Sequence, residues 1–276
     1  VTSSDNGPQD SRQHTISWSE YAAVLFDLDG VVTPTAEVHM RAWAEMFNAF
    51  LTEYADDLAD SPEAKGVDLS PYSDDDYFAH VDGKPRYDGV RDFLKSRGID
   101  LPEGGDEDET AGPTVRGLGD RKNDAFNEVL ARDGVTAYPG SVALLDHLRD
   151  LAIPLAVVSS SANAPAVLAA AGLADRFATV VDGRVATELG LPGKPAPDTF
   201  EHAASALGAT AATSVVLEDA VSGVRAGRAG HFGLVVGVDR GAGAATLTEA
   251  GADLVVPDLA QTLPPDVTTS SSRTGP

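Results

Sequence analysis

The sequence predicts an α/β protein: an open parallel sheet with an all-helical block inserted after its first strand. Three observations carry this expectation. From about residue 138 to 256, short apolar runs alternate with alanine-rich helical stretches, the rhythm of right-handed strand–helix units in a parallel sheet. A single apolar run, 21–26, stands far upstream of them, and the stretch 35–137 between the two reads as helix and loop. With 276 residues and 42% apolar residues, the chain can also bury a full core as one large or two modest domains.

Residues 1–19 are rich in Ser, Asp, Asn, Gly, Pro and Gln, which predicts a loose leader. The stretch Val24-Leu25-Phe26-Asp27-Leu28-Asp29-Gly30-Val31-Val32-Thr33 follows. Its apolar first half reads as a buried strand. An unpaired buried carboxylate is costly, so Asp27 and Asp29 belong at the strand end, facing a cation or a polar cleft. Side chains at i and i+2 share a face of a strand, which lets both carboxylates reach one metal ion or one substrate. Gly30 permits a sharp exit. A strand followed by an ordinary acidic turn accounts for these residues equally well when they are taken alone.

Ala36, Met40, Trp43, Ala44, Phe47 and Phe50 then recur at helical spacing from Thr35, a plausible N-cap, to about Glu53. Trp43 and Phe47 read as core packing. The acidic stretch 54–77 has no calcium-loop spacing and reads as a solvated face or loop. Val81-Asp82-Gly83-Lys84-Pro85-Arg86-Tyr87 is a turn that starts a helix ending near Arg97-Gly98, and 103–109 reads as a mobile loop. A longer helix, about Leu118 to Asp133, carries Lys122 and Asn123 near its start; another opens at Tyr138-Pro139. Strands are expected over 154–158, 178–181, 214–217, 232–238 and 253–256, with helices over 165–171, 197–207, 221–229 and 245–250. The expected organisation is a leader (1–19), a core (20–34 and 138–261), a helical cap (35–137) and a disordered Pro/Thr/Ser-rich tail (262–276).

The net charge of -23 excludes a nucleic-acid groove and docking on an anionic membrane, both of which need a basic surface. An anionic substrate would need local Lys or Arg and a divalent cation to overcome that field. Cysteine is absent, so there is no disulfide framework or thiolate metal site. No signal peptide or 18-residue apolar run is read from the sequence. The expectation is a cytoplasmic monomer or weak homodimer that meets a small molecule.

Ligands of open α/β sheets bind at the carboxyl ends of the strands. Asp27 and Asp29 follow the first strand; Ser159, Ser160, Ser161 and Asn163 follow Leu155-Ala156-Val157-Val158 and run into a helix start, a place that suits an anion. Lys194 precedes the helix near Pro197, and Glu218 and Asp219 follow Val215-Val216-Leu217. Singly, these have ordinary readings as a helix cap, a surface lysine and acids favouring a helix dipole. Together they form a phosphate-transfer inventory: carboxylates for Mg²⁺, a cation and hydroxyl donors.

In these four signatures, Asp27-Leu28-Asp29-Gly30-Val31, Ser159, Lys194 and Glu218-Asp219, the sequence resembles the haloacid dehalogenase superfamily from about Val24 to Val256. The stretch Thr35 to Trp43 resembles the hinge and first cap helix of its β-phosphoglucomutase-like branch. The resemblance implies a Rossmann-like parallel-sheet core with an inserted α-helical cap. It implies that Asp27 attacks phosphorus to give an aspartyl-phosphate and that Asp29 protonates the leaving oxygen and deprotonates the incoming nucleophile. Mg²⁺ would be held by Asp27, the backbone carbonyl of Asp29, Asp219 and nearby Glu218; Ser159 and Lys194 would complete the catalytic set. Gly83, Arg86, Lys122, Asn123, Ser161 and Asn163 fall where that branch places substrate contacts, and His39 lies at the hinge. One departure is Pro34, where the branch usually carries an acidic residue. The implied activity is Mg²⁺-dependent phosphoryl transfer on sugar phosphates, mutase-like, with a sugar-phosphate phosphatase as the alternative in the same chemistry. A non-catalytic binding protein of the same fold would have lost at least one signature, and none is lost.

Overall fold

A computed structural model of the chain describes residues 14–58, 66–105 and 113–265. Six short strands form one sheet: β1 (Ala23–Phe26), β2 (Leu155–Val158), β3 (Thr179–Val181), β4 (Ser214–Glu218), β5 (Leu234–Val238) and β6 (Leu254–Val256). Their order is β3-β2-β1-β4-β5-β6, and every pairing is parallel. The strand that comes first in sequence is therefore central, with Val24 opposite Leu155 on one side and Val215 on the other. The chain builds outward from β1 through β2 to β3, then returns to the opposite side of β1 with β4. That reversal creates a crevice at the carboxyl ends of β1 and β4.

Between β1 and β2 run α1 (Thr35–Leu58), α2 (Asp74–Asp76, continuing as a π-helical turn over Tyr77–Val81), α3 (Arg86–Ser96), α4 (Val115–Asp133) and α5 (Pro139–Asp150). After β2 come α6 (Ala164–Ala170), α7 (Gly183–Leu189), α8 (Asp198–Ala206), α9 (Val221–Ala229) and α10 (Ala244–Ala250). Period-two alternation divides the sheet between two apolar clusters. Val24 and Phe26 face Leu144, Leu145 and Leu148 of α5 and Val167 and Leu168 of α6. Leu25 faces Phe200 of α8, Val224 of α9 and Leu247 of α10. Helices thus cover both faces, which explains why the strands read as continuous apolar runs.

The inserted helices close on a third cluster of their own, with Trp43, Phe47, Phe50, Tyr72, Phe93 and Leu118. Phe47 lies at its centre, 4.0 Å from Phe93, 5.1 Å from Tyr72 and 5.3 Å from Trp43 between ring centroids. Trp43 and Phe47 are packing residues, as their spacing predicts. Local chemistry fixes the helix starts: Thr114 accepts from the Gly117 amide at α4, and Ser73 and Asp76 form a reciprocal capping box at α2.

Three sequence expectations change. The leader does not extend to Ser19: Trp18 is buried in the main core and its Nε1 donates to the carbonyl of Thr262. Composition misses this because one large indole outweighs several polar neighbours once it can be buried. The same contact brings 262–265 into the fold, with Leu263 buried, so the expected tail begins too early. Within the acidic stretch, Asp68 and Asp76 bracket the buried guanidinium of Arg97 at 2.9 and 2.7 Å, which makes them partners of a charge and not only a solvated face. Helix α7 is a further difference; it starts where Asp182 accepts from the amides of Arg184 and Val185, in a stretch with no expected element. Residues 1–13, 59–65, 106–112 and 266–276, which hold the rest of the leader, tail and acidic loops, lie outside the described residues.

Candidate active site

The carboxyl ends of β1, β2 and β4 open on a cavity of about 740 Å³ between the sheet and the inserted helices. Asp27, Asp29, Ser159, Lys194 and Asp219 line it from the sheet side, and His39, Arg86, Lys122 and Asn123 from the inserted helices. Ser160, Ser161 and Asn163 line it as well. Glu218 is the one expected residue that does not; it is fully buried directly behind Lys194.

Lys194 ties the sheet side together. Its buried Nζ donates to Asp27 Oδ1 at 2.5 Å, Glu218 Oε1 at 2.6 Å and the Val158 carbonyl at 2.9 Å, so all three ammonium protons have acceptors. Burial alone would lower its pKa, yet the two carboxylates overcome that and raise it. Asp27 has the converse problem: burial, reinforced by Glu218 and Asp29, pushes its carboxyl well above the ordinary range against the pull of Lys194. Asp219 is raised for similar reasons, by burial first and then by Asp82, Asp27 and Glu218. Two glycines make this crowding possible. A Cβ on Gly30, whose φ is +85°, would sit 1.7 Å from Asp219 Oδ2, and one on Gly223 would sit 1.7 Å from Glu218 Oε1.

Asp27, Glu218 and Asp219 each offer an oxygen within 4.8 Å of the others. The Asp29 carboxylate does not join them, although it lines the same cavity as Asp27. The strand stops at Phe26, and the following turn, closed by Gly30 N–H to the Thr33 carbonyl, rotates the second carboxylate away. Asp29 instead accepts from Thr35 Oγ1 in a short hydrogen bond, faces His39 Nε2 at 3.4 Å and reaches Ser159 Oγ at 3.5 Å. Burial opposes its ionisation, but the His39 and Thr35 contacts win and hold its pKa at about 2.

Behind His39 stands Lys122, whose Nζ contacts His39 Nδ1. When Lys122 is protonated it can only donate, and in that state Nδ1 accepts and the ring proton sits on Nε2, toward Asp29. The imidazole stacks on Phe126 at 4.0 Å, and Lys122 lies 5.0 Å over the Trp43 ring. Burial, followed by the repulsion of Arg86, brings Lys122 down to about 7.

The inserted helices touch the sheet side through a few named bonds. Ser160 Oγ donates to the Gly83 carbonyl at 2.9 Å and Ser222 Oγ to the Asp82 carbonyl at 3.1 Å. Arg86 donates to Asn123 Oδ1 at 2.8 Å, which also accepts from Asn163 Nδ2 at 2.8 Å. The hydroxyl of Ser160 is thus engaged across the seam. Ser159 Oγ and Ser161 Oγ accept from the amides of Ser161 and Asn163, shaping the turn after β2.

Sequence reasoning did not single out Thr35 as a partner of Asp29, nor Asp82, whose burial, reinforced by Glu218 and Asp29 against the pull of Lys194, raises its pKa to about 7. It also passed over Arg240, which donates to the Gly30 carbonyl at 2.9 Å and stacks on Tyr138 at 3.8 Å. The aspartate-glycine pair at 82–83 was a usable signal; nothing local marks Arg240.

A family model for haloacid dehalogenase-like hydrolases matches residues 21–231. The chain belongs to that family. This haloacid dehalogenase-like chain is 49% identical over 245 residues to a β-phosphoglucomutase of Mycobacterium bovis, covering 87% of this chain and 91% of that protein. It is 33% identical over 236 residues to a β-phosphoglucomutase of Bacillus subtilis, covering 85% and 88%. A solved β-phosphoglucomutase structure from Clostridium difficile shares the fold with a TM-score of 0.68 at 22% identity, over 91% of this chain and 96% of that one.

Among the described residues, no helix is long and apolar enough to cross a membrane.

Proposed function

We propose that this protein is a phosphoryl-transfer enzyme acting on sugar phosphates through an aspartyl-phosphate, with β-phosphoglucomutase-like isomerisation as its reaction. The observation that carries the reading is the buried Asp27–Lys194–Glu218 contact set beside Asp219 at the sheet crevice, roofed by helices that bring Arg86 and Lys122 to the same cavity. The similarity to two β-phosphoglucomutases supports it.

In this reading Asp27 bonds to phosphorus as the phosphorus–oxygen bond to the sugar breaks. A carboxylate approaching a phosphate dianion meets strong repulsion, and Lys194 is placed to offset it. The three clustered carboxylates, buried and mutually destabilising, fit a hard divalent cation that takes oxygen ligands, and Mg²⁺ would be held by Asp27, Glu218 and Asp219. The chemistry it supplies when bound is charge neutralisation beside the phosphoryl group. Ser159 and the amides after β2 would hold phosphoryl oxygens. Asp29, held ionised, is set to take a proton from an incoming hydroxyl. To protonate the leaving oxygen in the first half-reaction it must gain one, and the Nε2 proton of His39 with the Lys122 ammonium behind it offers a source. Arg86, Asn123 and Asn163 would grip the non-reacting end of the sugar phosphate.

The helices of 35–137 act in this reading as a cap over a core of 20–34 and 138–261, and their closure excludes water long enough for a second sugar hydroxyl to reach the phosphoenzyme. The same reading has the enzyme working in the cytoplasm as a monomer or weak homodimer. Incubation with β-glucose 1-phosphate, Mg²⁺ and a trace of the sugar bisphosphate tests it. Glucose 6-phosphate is the expected product; free phosphate with no isomer would make the enzyme a phosphatase instead.

A further inference from the structure

The acid cluster is reached from two sides. Besides the large cavity, a second one of about 270 Å³ is lined by Tyr77, Asp82 and Asp219, the same three residues that also line the first. Its outer end is marked by the exposed Glu37 on the first turn of α1 and by Phe78, 40% exposed. The two cavities differ in charge. Counting every lining group, the large one carries six cationic side chains, Lys84, Arg86, Arg91, Lys122, Arg184 and Lys194, against six carboxylates, Asp27, Asp29, Asp82, Asp88, Glu188 and Asp219. The small one has three carboxylates, Glu37, Asp82 and Asp219, and a single cation, Arg240. That cation is committed elsewhere: it donates to the carbonyls of Gly30 and Pro257 and stacks on Tyr138.

A channel with a net negative lining favours cations and repels anions, whereas a balanced lining admits an anion. We infer that the small cavity between α1, Tyr138 and Arg240 is the route by which the divalent cation reaches and leaves Asp219, separate from the route of the anionic substrate. The large cavity then belongs to the phosphorylated sugar, and metal exchange does not require it to be empty. The inference rests on Asp27, Glu218 and Asp219 being the metal cluster.

The test follows the rate at which Mn²⁺ quenches the intrinsic tryptophan fluorescence of the full chain in a stopped-flow instrument. Ala36 lines the small cavity, and Ala36→Phe fills it. That variant should slow association and dissociation at least about tenfold together, leaving the equilibrium affinity within roughly threefold. In the wild type, saturating glucose 6-phosphate should leave the association rate within roughly threefold, because the second route stays open. Glu37→Gln changes only an exposed side chain and keeps the idea testable if Ala36→Phe does not fold; it should slow association roughly two- to threefold at low salt and match the wild type at high salt. Unchanged association rates in Ala36→Phe, or in Glu37→Gln at low salt, overturn the route, as does wild-type association abolished by glucose 6-phosphate. Failure of the wild type to bind Mn²⁺ at all sinks the metal cluster itself, a different result from binding at an unaltered rate.

Discussion

Two buried lysines face each other's work across the cavity, and their environments drive them in opposite directions. Lys194, on the sheet side, is 3% exposed and Lys122, on the inserted helices, is 5% exposed, so burial does not distinguish them. Partners do. Lys194 touches two carboxylates and a carbonyl and its pKa rises. Lys122 touches a histidine ring, lies against Trp43 and Phe126 and feels Arg86, and its pKa falls to about 7. The first is a fixed charge that holds Asp27, the proposed nucleophile, and Glu218 in place. The second titrates near neutrality, and in the proposed reaction it is a proton donor one side chain removed from Asp29. The same residue type is thus a fixed charge on one wall and a group titrating near neutrality on the other.

The sharpest way to probe the sheet-side wall is Asp27→Asn. It removes the proposed nucleophile but leaves Lys194 paired with Glu218, so turnover should fall by about 10⁴-fold or more while the melting curve changes little. Phosphoryl-transfer assays beside circular-dichroism melts check both halves, and residual turnover near wild type would break the assignment.

Replacing each lysine by methionine tests the contrast itself. Lys194→Met strands two buried carboxylates and should cost roughly 3–5 kcal/mol at pH 7. The stabilising contribution of Lys194, whose folded pKa is raised, is fully present below the ordinary lysine value of 10.5 and fades only as pH climbs through the higher folded value. The deficit of the variant should therefore persist from pH 7 to 10.

Lys122→Met should do the opposite to stability. With the folded pKa lowered from 10.5 to about 7, the unfolded chain binds one more proton than the folded chain between those values. Wild-type stability from this group therefore rises with pH across that window. Below pH 7 the native state carries a charge that burial disfavours, and the variant should be more stable by up to a few kcal/mol. That advantage should shrink steadily toward pH 10.5, even though the variant turns over poorly. Chemical denaturation of both proteins at several pH values measures it, and a variant less stable than wild type at pH 6 would end the comparison.

Arg86→Ala should give the smallest of these effects. It removes the link from Asp120 to Asn123 and should raise KM roughly tenfold or more with a lesser change in kcat, as expected for lost binding of the non-reacting phosphate. A fall in kcat alone would place Arg86 with the proton-handling group instead.

Much of the site was legible without coordinates. A strand end carrying two acids and a glycine, a hydroxyl cluster after the second core strand, a lysine before a helix and an acid pair after a later strand are local patterns, each set by a few neighbouring residues. Their convergence followed from the sheet type, because parallel strands present their carboxyl ends on one edge. Trp43 and Phe47 were likewise readable from helical spacing.

What the sequence determined by itself was therefore the fold class, the acidic end of the first strand and the inventory of candidate reacting groups. The tertiary structure alone decided how those groups are arranged: that Asp29 turns from the Asp27–Glu218–Asp219 cluster toward Thr35 and His39, that Trp18 belongs to the core, and that two lysines differ in proton affinity. Such properties depend on dielectric surroundings and on charges contributed by distant segments, as when Lys194 meets Asp27 across 167 residues of chain. Short-range patterning fixes which side chain is present, whereas only the folded packing fixes the field in which it titrates.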